Sequence, residues 1–341
     1  MKPKTSSSIL AGMFTFMSVI ASSQASAYDC DASCQAHIEQ GVKLYNQFEY
    51  DQAKAVFQAE ADKGNAHALY WLGVAHYETG KYSDAGDSFL QAAEMGDPWA
   101  MELMVPGGLR NPCDFRGWSC DDDWKEKALE GFKKLADQGD GKAMYAYYRN
   151  KSYWWKPFTF YEKKKRASYY DDIIKSGWYG VLRGSSAWND DDKYLNHLIS
   201  AAESGYAPAM VNLFYENDEI SDSEALKWIF KALELGYGKA AESLSYAYNN
   251  GDSMLDVDYH EAYMYHKIAI ALGSDISGSP KVKLNIEDDF GLYKTDMNGD
   301  FIYEILITPE EQADLDKQAE AFLKRVKPNR FLDEATHKLF N

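Results

Sequence analysis

The sequence predicts an all-α solenoid, a stack of helix pairs closed by a small C-terminal β-hairpin and a capping helix. Three observations predict it. An alanine stands eleven residues before a glycine at Ala53–Gly64, Ala85–Gly96, Ala128–Gly139, Ala225–Gly236 and Ala262–Gly273. A second alanine follows the glycine by four at Ala68, Ala100, Ala143, Ala209 and Ala240. Apolar residues between these landmarks keep helical spacing, as at Ala225, Trp228, Ile229, Ala232 and Leu233. Self-similarity over a few tens of residues is the mark of a repeat architecture. The glycines follow each other by 32, 43, 38, 28, 31 and 37 residues, so the period is irregular. Gly177 heads the weakest copy, with Arg166 and Val181 in the alanine slots.

The physics of the unit follows from its residue types. A glycine after the last apolar turn ends a helix in a left-handed conformation. The small alanines let neighbouring helices approach closely. An antiparallel helix pair cannot cover its own apolar face, so it must stack on the next one.

Taken in order, residues 1–27 read as a secretory signal. Lys2 and Lys4 give a positive start, Ile9 to Ile20 an apolar run, and Ala25-Ser26-Ala27 a small-residue site for cleavage after Ala27. The run is too short to span a bilayer comfortably. The expected localisation is periplasmic or secreted, without stable membrane insertion once the signal is removed. Residues 28–275 form the expected array of about six to seven pairs. Helices are expected over 33–47 and 50–63, then 66–79 and 82–95. Pro106 to Pro112 breaks the third pair, and helix resumes near Trp124. The later pairs are expected at 189–204, 206–217 with 221–235, and 238–249 with 257–272. The third region, 276–341, begins where the repeat stops. Phe290 to Ile307 reads as a β-hairpin turning on Asn298-Gly299, because both positions tolerate positive φ. Thr308-Pro309-Glu310-Glu311 opens a helix with a cap, a first-turn proline and a capping-box glutamate. That helix is expected to close the array, with a short segment from Arg330 to Phe340 docked beside it.

The frame resembles the Sel1-like repeat family, relatives of the tetratricopeptide repeats. The motifs that carry the resemblance are Ala68 to Gly80, with Leu72, Gly73 and Tyr77, then Tyr82, Ala85, Ala92-Ala93 and Gly96 to Ala100. The resemblance covers roughly residues 35–275. It implies a right-handed solenoid that serves as an interaction scaffold. Exported Sel1-like proteins include envelope regulators and immunity proteins against antibacterial toxins. Some cysteine-rich members are associated with β-lactams, which supplies the alternative of an enzyme acting on β-lactams or cell-wall material. The regular per-repeat cysteine pairs of those members are missing here.

Composition bounds the partners. The net charge is −17, and −19 without Lys2 and Lys4. This balance argues against nucleic acid and against anionic lipid, and favours a protein or peptide with a basic surface. The four cysteines, Cys30, Cys34, Cys113 and Cys120, suit disulfides in an exported chain. Of three possible pairings, Cys30–Cys34 and Cys113–Cys120 are expected from proximity. The second loop is either a binding feature or a stapled insertion. Thirteen aromatic residues crowd Tyr145 to Tyr179, beside the basic run Lys163-Lys164-Lys165-Arg166. They serve either as core packing or as a contact surface.

No catalytic signature emerges. The histidine spacings His67–His76 and His260–His266 do not match a helical metal motif. Asp296, Asn298 and Asp300 resemble the start of a calcium loop, but Gly299 falls inside the triplet and Ile307 stands where a glutamate is required. The expectation is therefore no enzyme, no cofactor and no metal. A concave groove of helix side chains is expected to bind the partner, with Tyr70, Trp71, Tyr77, Trp99, Tyr147, Tyr148 and Trp178 as candidate contacts.

Overall fold

The computed structural model of the chain describes residues 30–107, 112–154, 156–183, 191–216, 219–277, 280–337 and 339. The expected signal segment lies outside the described residues.

The fold is an all-α solenoid. The first two pairs are α1 (Ala32–Asn46) with α2 (Tyr50–Ala61), and α3 (Ala66–Glu78) with α4 (Tyr82–Glu94). The third pair is α5 (Pro98–Leu103) and α7 (Trp124–Asp137), with α6 (Pro112–Arg116) inserted between them. Then come α8 (Gly141–Asn150) and α9 (Thr159–Lys175). A short 3-10 turn, Gly180–Arg183, stands where the next first helix would be, and α10 (Asp191–Glu203) follows it. The last pairs are α11 (Ala207–Tyr215) with α12 (Asp222–Glu234), and α13 (Gly238–Asn250) with α14 (Tyr259–Ala271).

The repeat frame explains the joints. All seven repeat glycines have positive φ, between 79° at Gly236 and 103° at Gly96, which L-residues with a Cβ avoid. In the first half of the array the next residue is a polar N-cap. Asn65, Asp97 and Asp140 accept hydrogen bonds from the backbone N–H of Ala68, Ala100 and Ala143 at 2.7, 2.8 and 3.0 Å. Those alanines, and their partners Ala53, Ala85, Ala225 and Ala240, are fully buried between helices. Within a pair the rings fill glycine gaps: a Cβ on Gly73 would sit 2.7 Å from the Phe89 ring, and one on Gly41 would sit 2.4 Å from Phe57.

The cysteines pair as Cys30–Cys34 and Cys113–Cys120, with Cα separations of 5.4 and 5.9 Å. Cys30 precedes α1 while Cys34 lies in its first turn, so one helix does not have to hold both. The second loop lies over α4. Trp118 donates to the Tyr82 carbonyl at 2.9 Å, and its ring fills the space beside Gly86. The Arg116 guanidinium sits 3.5 Å above the Tyr82 ring.

After Gly273 the chain departs from a single hairpin. Strands β1 (Lys283–Asn285) and β2 (Tyr303–Ile305) pair antiparallel, but two turns separate them. One closes the Glu287–Tyr293 bridge and the other, at Asn298-Gly299, closes Thr295–Phe301. An eight-residue echo builds both turns. Asp288 accepts the N–H of Phe290 and Leu292, and Asp296 accepts those of Asn298 and Asp300. These amides occupy one oxygen of the Asp296 carboxylate and hold its pKa below the ordinary range. Helix α15 (Pro309–Leu323) has the full capping box at Thr308 and Glu311 and packs on α14, where Asp316 accepts from Tyr263 at 3.2 Å.

The array curves until its ends touch. The Phe48 ring, in the α1–α2 loop, lies against Gly273 after the last pair, where an added Cβ would meet it at 2.0 Å. Phe48 has φ 64° and Phe331 φ 54°, and these are the two non-glycine residues with positive φ among the described residues. Bulky residues adopt this region only where the surroundings hold them there. Phe48 is held at the closure of the array, and Phe331 between the rings of Tyr206 and Tyr237.

Candidate functional site

The inner face of the curve is filled by the C-terminal segment of the chain itself. The sequence reading docks Arg330 to Phe340 beside the capping helix. The structure instead threads it across the array, from the last repeat back to the first. Its entry is fixed at Gly236, whose carbonyl accepts the Asn329 N–H at 2.9 Å. The Phe331 ring then lies edge-on between Tyr206 and Tyr237, with centroids 6.1 and 5.7 Å away. Arg183 donates to the Phe331 carbonyl and, through Nε, to the Tyr206 hydroxyl at 3.0 Å. Arg330 reaches the first pair. Its guanidinium stands 4.5 Å above the Tyr45 ring and 4.6 Å above Phe48, and donates to the Tyr45 carbonyl at 3.0 Å and to Glu78 at 3.2 Å. Asn46 pairs with Leu332 as a strand would, donating to its carbonyl at 2.9 Å and accepting its N–H at 2.8 Å.

Two carboxylates follow. Asp333 accepts from Trp178 Nε1 at 2.7 Å. Glu334, 4 % exposed, accepts from His67 Nε2 at 2.9 Å, Trp71 Nε1 at 3.2 Å and Lys142 Nζ at 2.5 Å. His337 and the Tyr70 hydroxyl share a hydrogen bond of 2.5 Å. The segment ends in a turn that Asp333 caps, through the Ala335 N–H and the Thr336 hydroxyl.

The electrostatics favour an anionic visitor. Burial pushes the His67 imidazole down, but its hydrogen bonds to Asp97 and Glu334 outweigh that and lift its pKa to about 9. Burial would raise Glu334, yet Lys142 and then His67 hold it well below the usual carboxylate range. Asp333, buried and next to Glu334, is pushed up. A protonated imidazole clamped by carboxylates on both nitrogens has no free lone pair. His67 therefore cannot serve as a general base at neutral pH. The arrangement holds charge in place between Asp97, His67, Glu334 and Lys142.

Several gripping residues share one place in the repeat, one to three positions after the glycine: His67, Lys142, Trp178, Tyr206 and Tyr237, while Asp97 in the same place holds His67. In the second half of the array Tyr206 and Tyr237 stand in the N-cap slot without a side-chain cap bond. Their rings hold Phe331 instead. Sequence reasoning missed His67, Lys142, Asp333 and Glu334. The available signal was aromatic residues at a cap position where the first repeats carry Asn or Asp.

The seven expected contacts divide. Tyr70, Trp71 and Trp178 are brought together by the C-terminal segment. Tyr70 and Trp71 are fully buried in its presence. Trp99, packed 4.8 Å from Phe132, and Tyr148 are core residues of the stack. Tyr77 is half-buried beside Trp118 and the disulfide loop, and Tyr147 is half-buried with Lys151 on its hydroxyl at 2.7 Å. Of the crowded aromatic stretch, Tyr148, Tyr169 and Tyr170 pack together, while Trp154, Phe158, Phe160 and Tyr161 stand in solvent.

Two solved repeat proteins are similar to this chain. One is a protective antigen of uropathogenic Escherichia coli with an SLR fold, 15% identical over 86% of this chain, TM-score 0.42. The chain spans 61% of the length of that protein. The other is a Sel1 repeat protein from Oxalobacter formigenes, 20% identical, with 68% of this chain and 98% of that one covered and a TM-score of 0.41. At these identities the likeness concerns fold alone. No protein-family model matches the chain, and no curated protein sequence matches it. The helix pairs carry their own landmarks: the buried alanines, the left-handed glycines and the stacked hairpins. Among the described residues no helix is long and apolar enough to cross a membrane, and no cluster of side chains is arranged to hold a metal ion.

Proposed function

We propose that the chain is a non-enzymatic interaction scaffold of the bacterial envelope that grips a protein or peptide partner on its inner face. The observation that carries this reading is the C-terminal segment. A peptide segment already lies along the groove, held by side chains from the first pair to the last. A surface that reads backbone, a phenylalanine and two carboxylates in one register is built for peptide recognition. Tyr70, Trp71 and Trp178 would meet a partner only when the resident segment leaves, whereas Tyr77 and Tyr147 are within reach of a partner beforehand.

The two disulfides fit an oxidising compartment. The inner face, which holds two carboxylates, favours an acidic stretch in the partner where it replaces the segment, and the acidic exterior favours a basic surface on the rest of it, as an immunity protein against a toxin, or an envelope regulator, would meet. Affinity capture from an envelope extract tests the reading, using the mature chain and a Glu334→Gln variant with a weakened resident segment. The expected result is a protein enriched by both and more strongly by the variant, and rebound when pure. Failure of both forms to retain any protein above an unrelated helical-repeat control would refute it. Turnover of a chromogenic β-lactam by the pure chain would favour the enzyme alternative.

A further inference from the structure

We propose a second binding surface, unrelated to the groove: an aromatic and basic patch at the start of α9 that docks on an anionic phospholipid bilayer. Trp154, Phe158, Phe160 and Tyr161 are 77, 56, 74 and 54 % exposed, four large rings within eight residues. Lys163, Lys164 and Lys165 follow, all exposed, and no hydrogen bond or ion pair holds them among the described residues. On a helix Phe160 shares a face with Lys164, and Tyr161 with Lys165.

The patch is held in place. Helix α9 has 17 residues, but its hairpin partner α8 has ten. The second half of α9 packs inward through Tyr170, Ile173 and Ile174. The start of α9 stays against α8 through Glu162, which accepts from the Tyr148 hydroxyl at 3.3 Å, while Phe160, Tyr161 and Lys163 to Lys165 are exposed. The preceding loop is pinned so that its rings face out. Lys156 donates to the carbonyls of Tyr148, Arg149 and Lys151 at 3.1, 3.2 and 2.8 Å, which ties the loop to the end of α8. Trp154 and Phe158 meet edge to face across that loop at 6.3 Å.

The chemistry selects the occupant. Lysine is depleted in the cores of protein interfaces. Rings of Trp, Tyr and Phe beside lysines are the composition of segments that lie in the membrane–water boundary, with the ammonium groups among the headgroups. The overall charge of −17 opposes such docking. Locally the sign is reversed: three exposed lysines stand together, Glu162 is taken up by Tyr148 and Arg166, and charges more than about 8 Å apart are largely screened at physiological salt.

The test is flotation of the full mature chain with vesicles of phosphatidylcholine alone or with about one third phosphatidylglycerol. Two variants accompany it, Lys163→Glu/Lys164→Glu/Lys165→Glu and Phe160→Ser/Tyr161→Ser, each checked by circular dichroism and Tm. The proposal expects binding to the anionic vesicles only, weakened about 100-fold or more in the lysine variant. It expects loss of binding in the ring variant as well, and release of wild type in about 1 M salt, where screening is nearly complete. Equal binding to both vesicle types overturns it. So does absence of binding to either, including the case where ultracentrifugation shows self-association that the variants abolish. The salt release uses wild type alone, so it decides the question even if a variant misfolds. Capture on the groove is a separate measurement, and neither result depends on the other.

Discussion

Replacing Glu334 by glutamine removes one buried negative charge and keeps the side-chain volume and an acceptor. The structure sets the size of the effect. Glu334 is nearly inaccessible and accepts from His67, Trp71 and Lys142. Removing one member of a buried, hydrogen-bonded pair costs about 3–5 kcal/mol, because the other charge is left uncompensated. Here Lys142 is 30 % exposed and regains water. The amide oxygen also keeps part of the bonding, and the repulsion that raises Asp333 is relieved. The expected loss is therefore lower, about 2–3 kcal/mol. For a chain of this length that corresponds to roughly 3–5 °C in Tm. Urea denaturation gives the first number. Amide hydrogen exchange across residues 330–337 then shows whether the loss is local. Protection should fall there first, while Ala225 to Leu233 in the core of the array stays protected. A change of less than about 0.5 kcal/mol with unchanged exchange would refute the claim that the carboxylate holds the segment in place.

The other expectations concern pH, the entry point and the staple. His67 has a folded pKa raised to about 9, so its contribution is complete below its unfolded value near 6.5 and is lost as pH rises through 9. The shift bounds that contribution at about 3 kcal/mol, and exchange at residues 331–337, corrected for its intrinsic pH dependence, should rise between pH 7 and 9.5. The depressed Glu334 acts in the opposite sense and loses its contribution only as pH falls into the acid range. Gly236→Ala should expel the segment, because the new Cβ meets the Lys327 carbonyl oxygen at 1.9 Å. Gly139→Ala has nothing within 4 Å and should cost only the left-handed strain, about 1–2 kcal/mol, so the difference in their unfolding energies isolates the contact. Removing the Cys113–Cys120 bridge opens a short loop, and the entropy of so short a loop predicts a loss of about 2.5 kcal/mol by urea denaturation, without change in the groove.

The stack was legible because its causes are local. A glycine with positive φ, a capping residue and an alanine that meets a neighbouring helix each leave a residue-level trace. The bounds expected for α1 to α4 and α12 to α14 therefore fall within about two residues of those observed. The groove was not legible for the opposite reason. Glu334 and His67 are 267 residues apart, and nothing near either one records the other. Tyr70 and Trp71 stood out by residue type, but ring chemistry alone does not tell a ring covered by the chain's own end from one left open. The two turns at Asp288 and Asp296 were read as one, because Asn298-Gly299 is the louder signal and the Asp288 turn lacks it.

The seam between Phe48 and Gly273 sets the size of the molecule. Open stacks of hairpins lengthen by copying a unit, since each touches only its neighbours. A duplicated unit here would part the two ends. It would also leave the tail short: from Asn329 to His337 nine residues reach at most about 30 Å when fully extended. This protein can thus evolve by rewriting loops and exposed faces, whereas growth by tandem duplication is closed to it.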